Sequence, residues 1–145
     1  MEKLNCKSLM IGDYVMCQSI KDKYARIMEI YLTLDEKPKR MVALNAYGAR
    51  YCVPIESIEP IPLKRIHLTK NGFKAREETD DTEFYYYDCY EINVSFDEGI
   101  SEENIPPIIF LTIEFAEKDI AMPIEYVHEL QQAMRIMGCD KEIEL

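Results

Sequence analysis

His128 and Glu129, in the run Tyr126-Val127-His128-Glu129-Leu130, stand nearest to a catalytic signature in this 145-residue chain. A zinc-hydrolase helix needs two histidines four residues apart, so that both reach one ion. Position 132 is glutamine, so the second ligand is missing. His128 is expected instead to flank the apolar stripe of a helix and to bond a neighbouring strand or loop. His67 reads as a packing or surface residue of a shorter helix.

The five cysteines, Cys6, Cys17, Cys52, Cys89 and Cys139, include no pair spaced C-x-x-C. A zinc knuckle or a redox dithiol requires that spacing. A cysteine nucleophile also needs a base brought to it in space. Cys17, Cys52 and Cys89 lie in strand-like stretches, which favours burial and inertness. Free thiols in a reducing cytoplasm fit the set. Asp80, Asp81 and Glu83 could gather a hard cation, but their stretch lacks the glycine and alternating ligands of a calcium loop. Gly48 and Gly72 are isolated, so no glycine-rich loop cradles phosphate. The motifs supply no catalytic residue, no cofactor site and no metal ligand, and the chain reads as a non-enzyme.

Charge is the stronger signal. Met1 to Ala75 carries 13 Lys and Arg against 8 Asp and Glu, a net of +5; Arg76 to Leu145 carries 4 against 19, a net of −15. A dipole of this kind steers encounters with a charged partner. The acidic runs Glu77, Glu78, Asp80, Asp81 and Glu98, Glu102, Glu103 are the candidate interaction residues. The tyrosines Tyr85, Tyr86, Tyr87 and Tyr90 could stack bases, but Asp80, Asp81, Glu83, Asp88 and Glu91 surround them where cations would be needed. Core packing or a protein interface suits them better. Lys21, Lys23, Arg26, Lys37, Lys39, Arg40 and Arg50 either scatter over the surface of the first part or form a basic face.

The elements that must position these residues follow from periodicity. Tyr14 to Gln18, Tyr24 to Thr33, Met41 to Ala46 and Tyr51 to Ile55 read as short strands separated by turns. Tyr24-Arg26-Met28-Ile30-Leu32 alternates, with four of the five able to face a core. Ile58-Glu59-Pro60-Ile61-Pro62-Leu63 has two prolines that impose an extended connector. A short helix follows over Leu63 to Asn71, stopped at Gly72. Phe84 to Phe96 reads as one strand with Phe84, Tyr86, Tyr90, Ile92, Val94 and Phe96 on one face. Ile109 to Phe115 and Ile120 to Met122 are further strands, and Pro123 occupies a first helical turn. Ile124, Val127, Leu130, Met134 and Met137 then mark an amphipathic helix ending at Gly138.

Several stretches together resemble a family of small, uncharacterised gut-bacterial proteins, many of them encoded on mobile elements or prophages. Leu9-Met10-Ile11-Gly12-Asp13-Tyr14-Val15 is similar to its L-x-I-G-[ND]-[YW]-V opening. Ile58 to Leu63 is similar to its I-x-P-I-P-L connector, and Gly72-Phe73 closes a short helix as in that family. Tyr126 to Gln131 is similar to its Y-V-H-x-L-Q helix. His67 stands where that family often carries Trp. The resemblance implies the same architecture and cellular setting, and no activity.

The expected fold is α+β: an SH3-like small β-barrel over 1–60, a connector with a short helix over 61–73, and an antiparallel meander packed on a C-terminal helix over 74–145. No secretory h-region and no apolar run of ~20 residues is present, so a cytoplasmic protein without a membrane span is expected. The favoured function is a non-enzymatic interaction or accessory protein that binds another protein by charge complementarity. An acidic nucleic-acid mimic that inhibits a DNA-binding protein, and nucleic-acid binding by a basic face of the barrel, are the two rivals. The missing C-x-x-C and H-x-x-x-H spacings predict no structural zinc and no intramolecular disulfide. Elemental analysis and intact mass before and after reduction check both.

Overall fold

Alternating apolar residues and turn signals resolve into ten strands and two α-helices in a computed structural model that describes residues 9–75, 82–87, 92–97, 108–115, 118–139 and 142–145. The chain divides into two units, Met1–Ile61 and Pro62–Leu145. Each has its own five-stranded antiparallel sheet.

In the first unit β1 (Tyr14–Cys17), β2 (Ile20–Leu32), β3 (Arg40–Ala46), β4 (Ala49–Pro54) and β5 (Ile58–Pro60) lie in the order β4-β3-β2-β1-β5, with a 3₁₀ turn at Ile55–Ser57 before β5. The described pairings include none that closes this sheet into a barrel. The β3–β4 hairpin turns at Tyr47 and Gly48, both at positive φ (52° and 79°), the backbone a two-residue reversal of this hand demands. Val15, Ala25, Ile27, Val42 and Leu44 are fully buried and form the core with Ile20, Ile55 and Ile58.

β2 departs from the sequence pattern. Tyr24, Met28, Ile30 and Leu32 are exposed, at 37 to 59%, while Ala25 and Ile27 face the core. Alternation separates the two faces of a strand without saying which is inside, and the small Ala25 gives the inner face little apparent hydrophobicity. The register then slips: Ile27 pairs with Leu44, but Glu29 pairs with Ala43, so Met28 is an extra residue in the ladder. Such a bulge exchanges the two faces of the strand beyond it.

The second unit contains α1 (Arg65–Lys70), β6 (Lys74–Ala75), β7 (Thr82–Tyr87), β8 (Ile92–Asp97), β9 (Ile108–Phe115), β10 (Lys118–Ile124) and α2 (Val127–Ile136), with the sheet in the order β10-β9-β8-β7-β6. The single strand expected over Phe84 to Phe96 is two strands, paired Tyr87 to Ile92 and Tyr85 to Val94. Antiparallel partners here have numbers of opposite parity, so an odd-numbered face of β7 joins an even-numbered face of β8. Accordingly Tyr85 is buried with Ile92, Val94 and Phe96, its ring edge-on to Phe96 at 5.8 Å, and Tyr86 is only half-buried. A uniform period of two cannot reveal that reversal. Pro123 likewise lies in β10 rather than in a helix. β10 is a sheet edge, where a residue without an N–H is tolerated.

Both helices use the same end chemistry. His67 Nδ1 accepts a hydrogen bond from the Lys64 N–H at 3.0 Å, and Glu129 Oε2 accepts one from the Tyr126 N–H at 3.0 Å. Each is the third residue of its helix bonding back to the cap. At the other ends, Phe73 N–H reaches Leu68 O (3.1 Å) and Cys139 N–H reaches Met134 O (2.9 Å), each one residue after a glycine. These are Schellman closures with the expected apolar pair beside each: Phe73, Leu68, Cys139 and Met134 are all buried.

α2 buries Val127, Leu130, Ala133 and Met134, and also His128 and Gln131, a wider face than the apolar stripe alone. Asn71 fastens the last residues: its Nδ2 donates to Glu144 O (2.8 Å) and to His67 O (2.6 Å), and its Oδ1 accepts from Glu144 N–H (2.7 Å). Ile143, held there, is 2% exposed. No helix among the described residues is long and apolar enough to cross a membrane.

Leu130 is 1% exposed, so Leu130→Ala is expected to cost about 2–5 kcal/mol in urea unfolding. Asn71→Ala strips two partners from Glu144 and is expected to cost about 1–3 kcal/mol, with faster amide exchange at Glu144.

Candidate functional site

The outer face of the first sheet gathers four side chains that could do chemistry. The register sets three rows across β2, β3 and β4: Arg26–Asn45–Arg50, Glu29–Ala43–Cys52 and Tyr31–Met41–Pro54. Glu29 and Tyr31 share this face with Arg26 only because of the extra residue at Met28. Ala43, central in the array, is fully buried although it lies on the outer face. Its methyl leaves room for neighbours to meet over it. Arg50 crosses that gap to Glu29 with two hydrogen bonds, Nη1 to Oε1 at 3.3 Å and Nη2 to Oε2 at 3.1 Å. Tyr31 and Arg50 act on Cys52 from the two neighbouring rows. Arg26 lies over the Tyr14 ring at 5.9 Å and donates through Nε to Gly12 O at 3.3 Å.

The electrostatics follow from these contacts. Hydrogen bonds from Tyr31 and then Arg50 hold the Cys52 thiol below its ordinary pKa, with the Glu29 carboxylate in weaker opposition. Tyr31 is pushed up, chiefly by the same bond to Cys52. The tyrosine therefore keeps its proton while the thiol more readily loses its own. The expectation that Cys52 is buried is overturned, because β4 is an edge strand and Cys52 lies on its solvent side. Cys17 and Cys139 are buried free thiols, and Cys89 lies outside the described residues. The signal in the sequence was two pairs at i and i+2, Glu29/Tyr31 and Arg50/Cys52, but nothing there shows that a bulge aligns them.

The acidic residues Glu77, Glu78, Asp80, Asp81, Glu98, Glu102 and Glu103 also lie outside the described residues. Among the described residues, no three His, Cys, Asp or Glu side chains are grouped to hold a metal. His128 is 2% exposed and stacks on Tyr126 with ring centroids 5.8 Å apart. His67 is 8% exposed, and burial, then Lys64 and Lys70, push its pKa down. Neither is placed as a general base.

A second feature lies within the second unit. Pro62 bridges to Tyr126, and Leu63 N–H donates to Glu125 O at 2.9 Å. The proline connector thus docks beside the start of α2. An apolar cleft of about 380 Å³ opens there, lined by Pro62, Leu63, Ile108, Ile109, Pro123 and Ile124, with Glu125 and Tyr126. It could seat an apolar side chain beside a carboxylate. No protein family, curated protein or solved structure matches the chain.

His67 accepts through Nδ1 and must be neutral there to do so. Its folded-state pKa lies below that of the unfolded chain, so its contribution is present above pH ~6.5 and is lost as pH falls towards the folded value. Urea unfolding at pH 7.5 and 5.5 should show a smaller loss of stability on acidification in His67→Gln than in the native chain.

Proposed function

We propose that the protein is a non-enzymatic, cytoplasmic accessory protein whose acidic second unit binds a basic partner protein. The observation that carries this reading is the concentration of the net negative charge in the second unit. Met1–Ile61 holds 9 Lys and Arg against 8 Asp and Glu, a net of +1; Pro62–Leu145 holds 8 against 19, a net of −11. A field concentrated on one unit accelerates encounters with a complementary surface. The apolar cleft beside Glu125 supports a protein partner, since interfaces pair an apolar centre with a polar rim.

The first unit is, in this reading, an SH3-like barrel that serves as a scaffold. The strand order β4-β3-β2-β1-β5, the long β2 and the 3₁₀ turn before β5 support it. The resemblance to gut-bacterial proteins of mobile elements and prophages supplies the setting. Two of the segments that carry that resemblance, the Ile58–Leu63 connector and the Tyr126–Gln131 helix, meet through Pro62 and Tyr126.

A tagged pull-down read by mass spectrometry identifies the partner. Its association should weaken steeply with salt, because screening shortens to ~8 Å at physiological ionic strength. Neutralising Glu77, Glu78, Asp80, Asp81, Glu98, Glu102 and Glu103 should slow association more than it changes dissociation. A salt-insensitive complex, or an unchanged association rate, would reduce the acidic half to a solubility role.

A further inference from the structure

We propose that β10 is the docking edge for an extended, basic segment of the partner protein, which adds to the second sheet as a further strand and seats an apolar side chain in the cleft at the end of β10. The proposal rests on the basic-partner reading above and names where and how that partner binds. Among the described residues β10 pairs on one side only, with β9, and six of its seven residues are exposed. Charged residues and prolines are what discourage pairing at a sheet edge. β10 has Lys118 and Asp119 at one end and Pro123 near the other, but Ile120, Ala121 and Met122 between them have no such protection.

Residues directly opposite in an antiparallel ladder share a face. Ile120, Met122 and Ile124 stand opposite Ile113, Leu111 and Ile109, all three of which are buried. Ile124 is buried as well, yet Met122 is 38% and Ile120 52% exposed. The core face of the sheet is thus covered at one end of its edge strand and open along the rest. A strand laid beside β10 takes up the unused main-chain groups of the edge, and every second side chain of it falls beside Ile120 and Met122. At the covered end, the cleft of about 380 Å³ lined by Leu63, Ile109, Pro123 and Ile124 takes the next apolar side chain.

Charge selects the occupant. Glu125 follows β10 directly and lines the same cleft. Its N–H donates to Glu129 Oε2 at 2.7 Å and its C=O accepts from Leu63 N–H at 2.9 Å, so the backbone that carries its exposed carboxylate is held at both groups. Asp119 exposes a second carboxylate towards the other end of the strand. The unit has 8 Lys and Arg against 19 Asp and Glu, a net of −11, so a second copy of this chain approaches against like charge. A segment that alternates apolar residues with Lys or Arg is attracted instead.

The test pans a library of random decapeptides against the full chain and measures the enriched peptides by fluorescence anisotropy. They should alternate apolar residues with Lys or Arg, and on binding they should slow amide exchange along residues 118–122. Ile120→Glu, a change at an exposed position, should weaken them about tenfold or more, whereas purely electrostatic association would gain from the added charge. Glu125→Gln should weaken them about threefold. Leu34→Glu, on the first unit, should leave them unchanged, and circular dichroism checks that each variant is folded. Basic peptides held as tightly by Ile120→Glu overturn the β10 site and leave the acidic-unit reading standing. Peptides that bind at β10 without basic residues, and insensitively to salt, overturn that reading together with the occupant named here. Failure to enrich any such segment, or a concentration-dependent dimer in sedimentation that Ile120→Glu abolishes, overturns the proposal equally.

Discussion

An extra residue in one ladder governs the chemistry of the first unit. Ala25 and Ile27 of β2 face the core; beyond Met28 the odd positions Glu29 and Tyr31 face out. Without that slip, Met28 would stand opposite Ala43 in the row of Cys52, and Glu29 and Tyr31 would lie on the other face. Glu29 would then lose its two hydrogen bonds to Arg50. The bulge therefore sets which polar side chains of β2 share a face with those of β4. The Arg50–Glu29 clasp, the Tyr31–Cys52 contact and the covered methyl of Ala43 all follow from it.

The second unit depends on backbone satisfaction at the ends of its elements. α1 is only six residues long, too short to hold as a helix by propensity alone. Its first turn is held by the His67 ring, its last by the Gly72–Phe73 closure, and Asn71 ties it to the final residues of the chain. α2 repeats the scheme with Glu129 and Gly138. Two of the polar residues buried here, Asn71 and His67, satisfy main-chain groups. This is the physical reason that His67 belongs to the architecture.

The two units differ in charge and in surface chemistry. The second unit concentrates negative charge and has an apolar cleft where the proline connector meets the start of α2. The first is nearly neutral, yet it displays a clustered thiol, phenol and guanidinium.

Much of the secondary structure was legible in the sequence, because turns and periodicity are local. Gly48 marked the β3–β4 reversal, and Ile109, Leu111 and Ile113 marked β9. Val127, Leu130 and Met134 marked the buried face of α2, and the paired prolines marked an extended connector. The net charge and its asymmetry were fixed by composition alone. Tertiary structure alone decided which face of each strand is inside. The β7–β8 reversal leaves period two intact while exchanging odd for even, and the Met28 bulge exchanges the faces within a single strand. Cys52 shows the consequence: its neighbours in sequence describe a strand, but only the place of β4 at the sheet edge makes it a surface thiol. Its partners Glu29 and Tyr31 lie some twenty residues away in sequence, and they reach it because hydrogen-bonded ladders, not chain proximity, set which side chains meet.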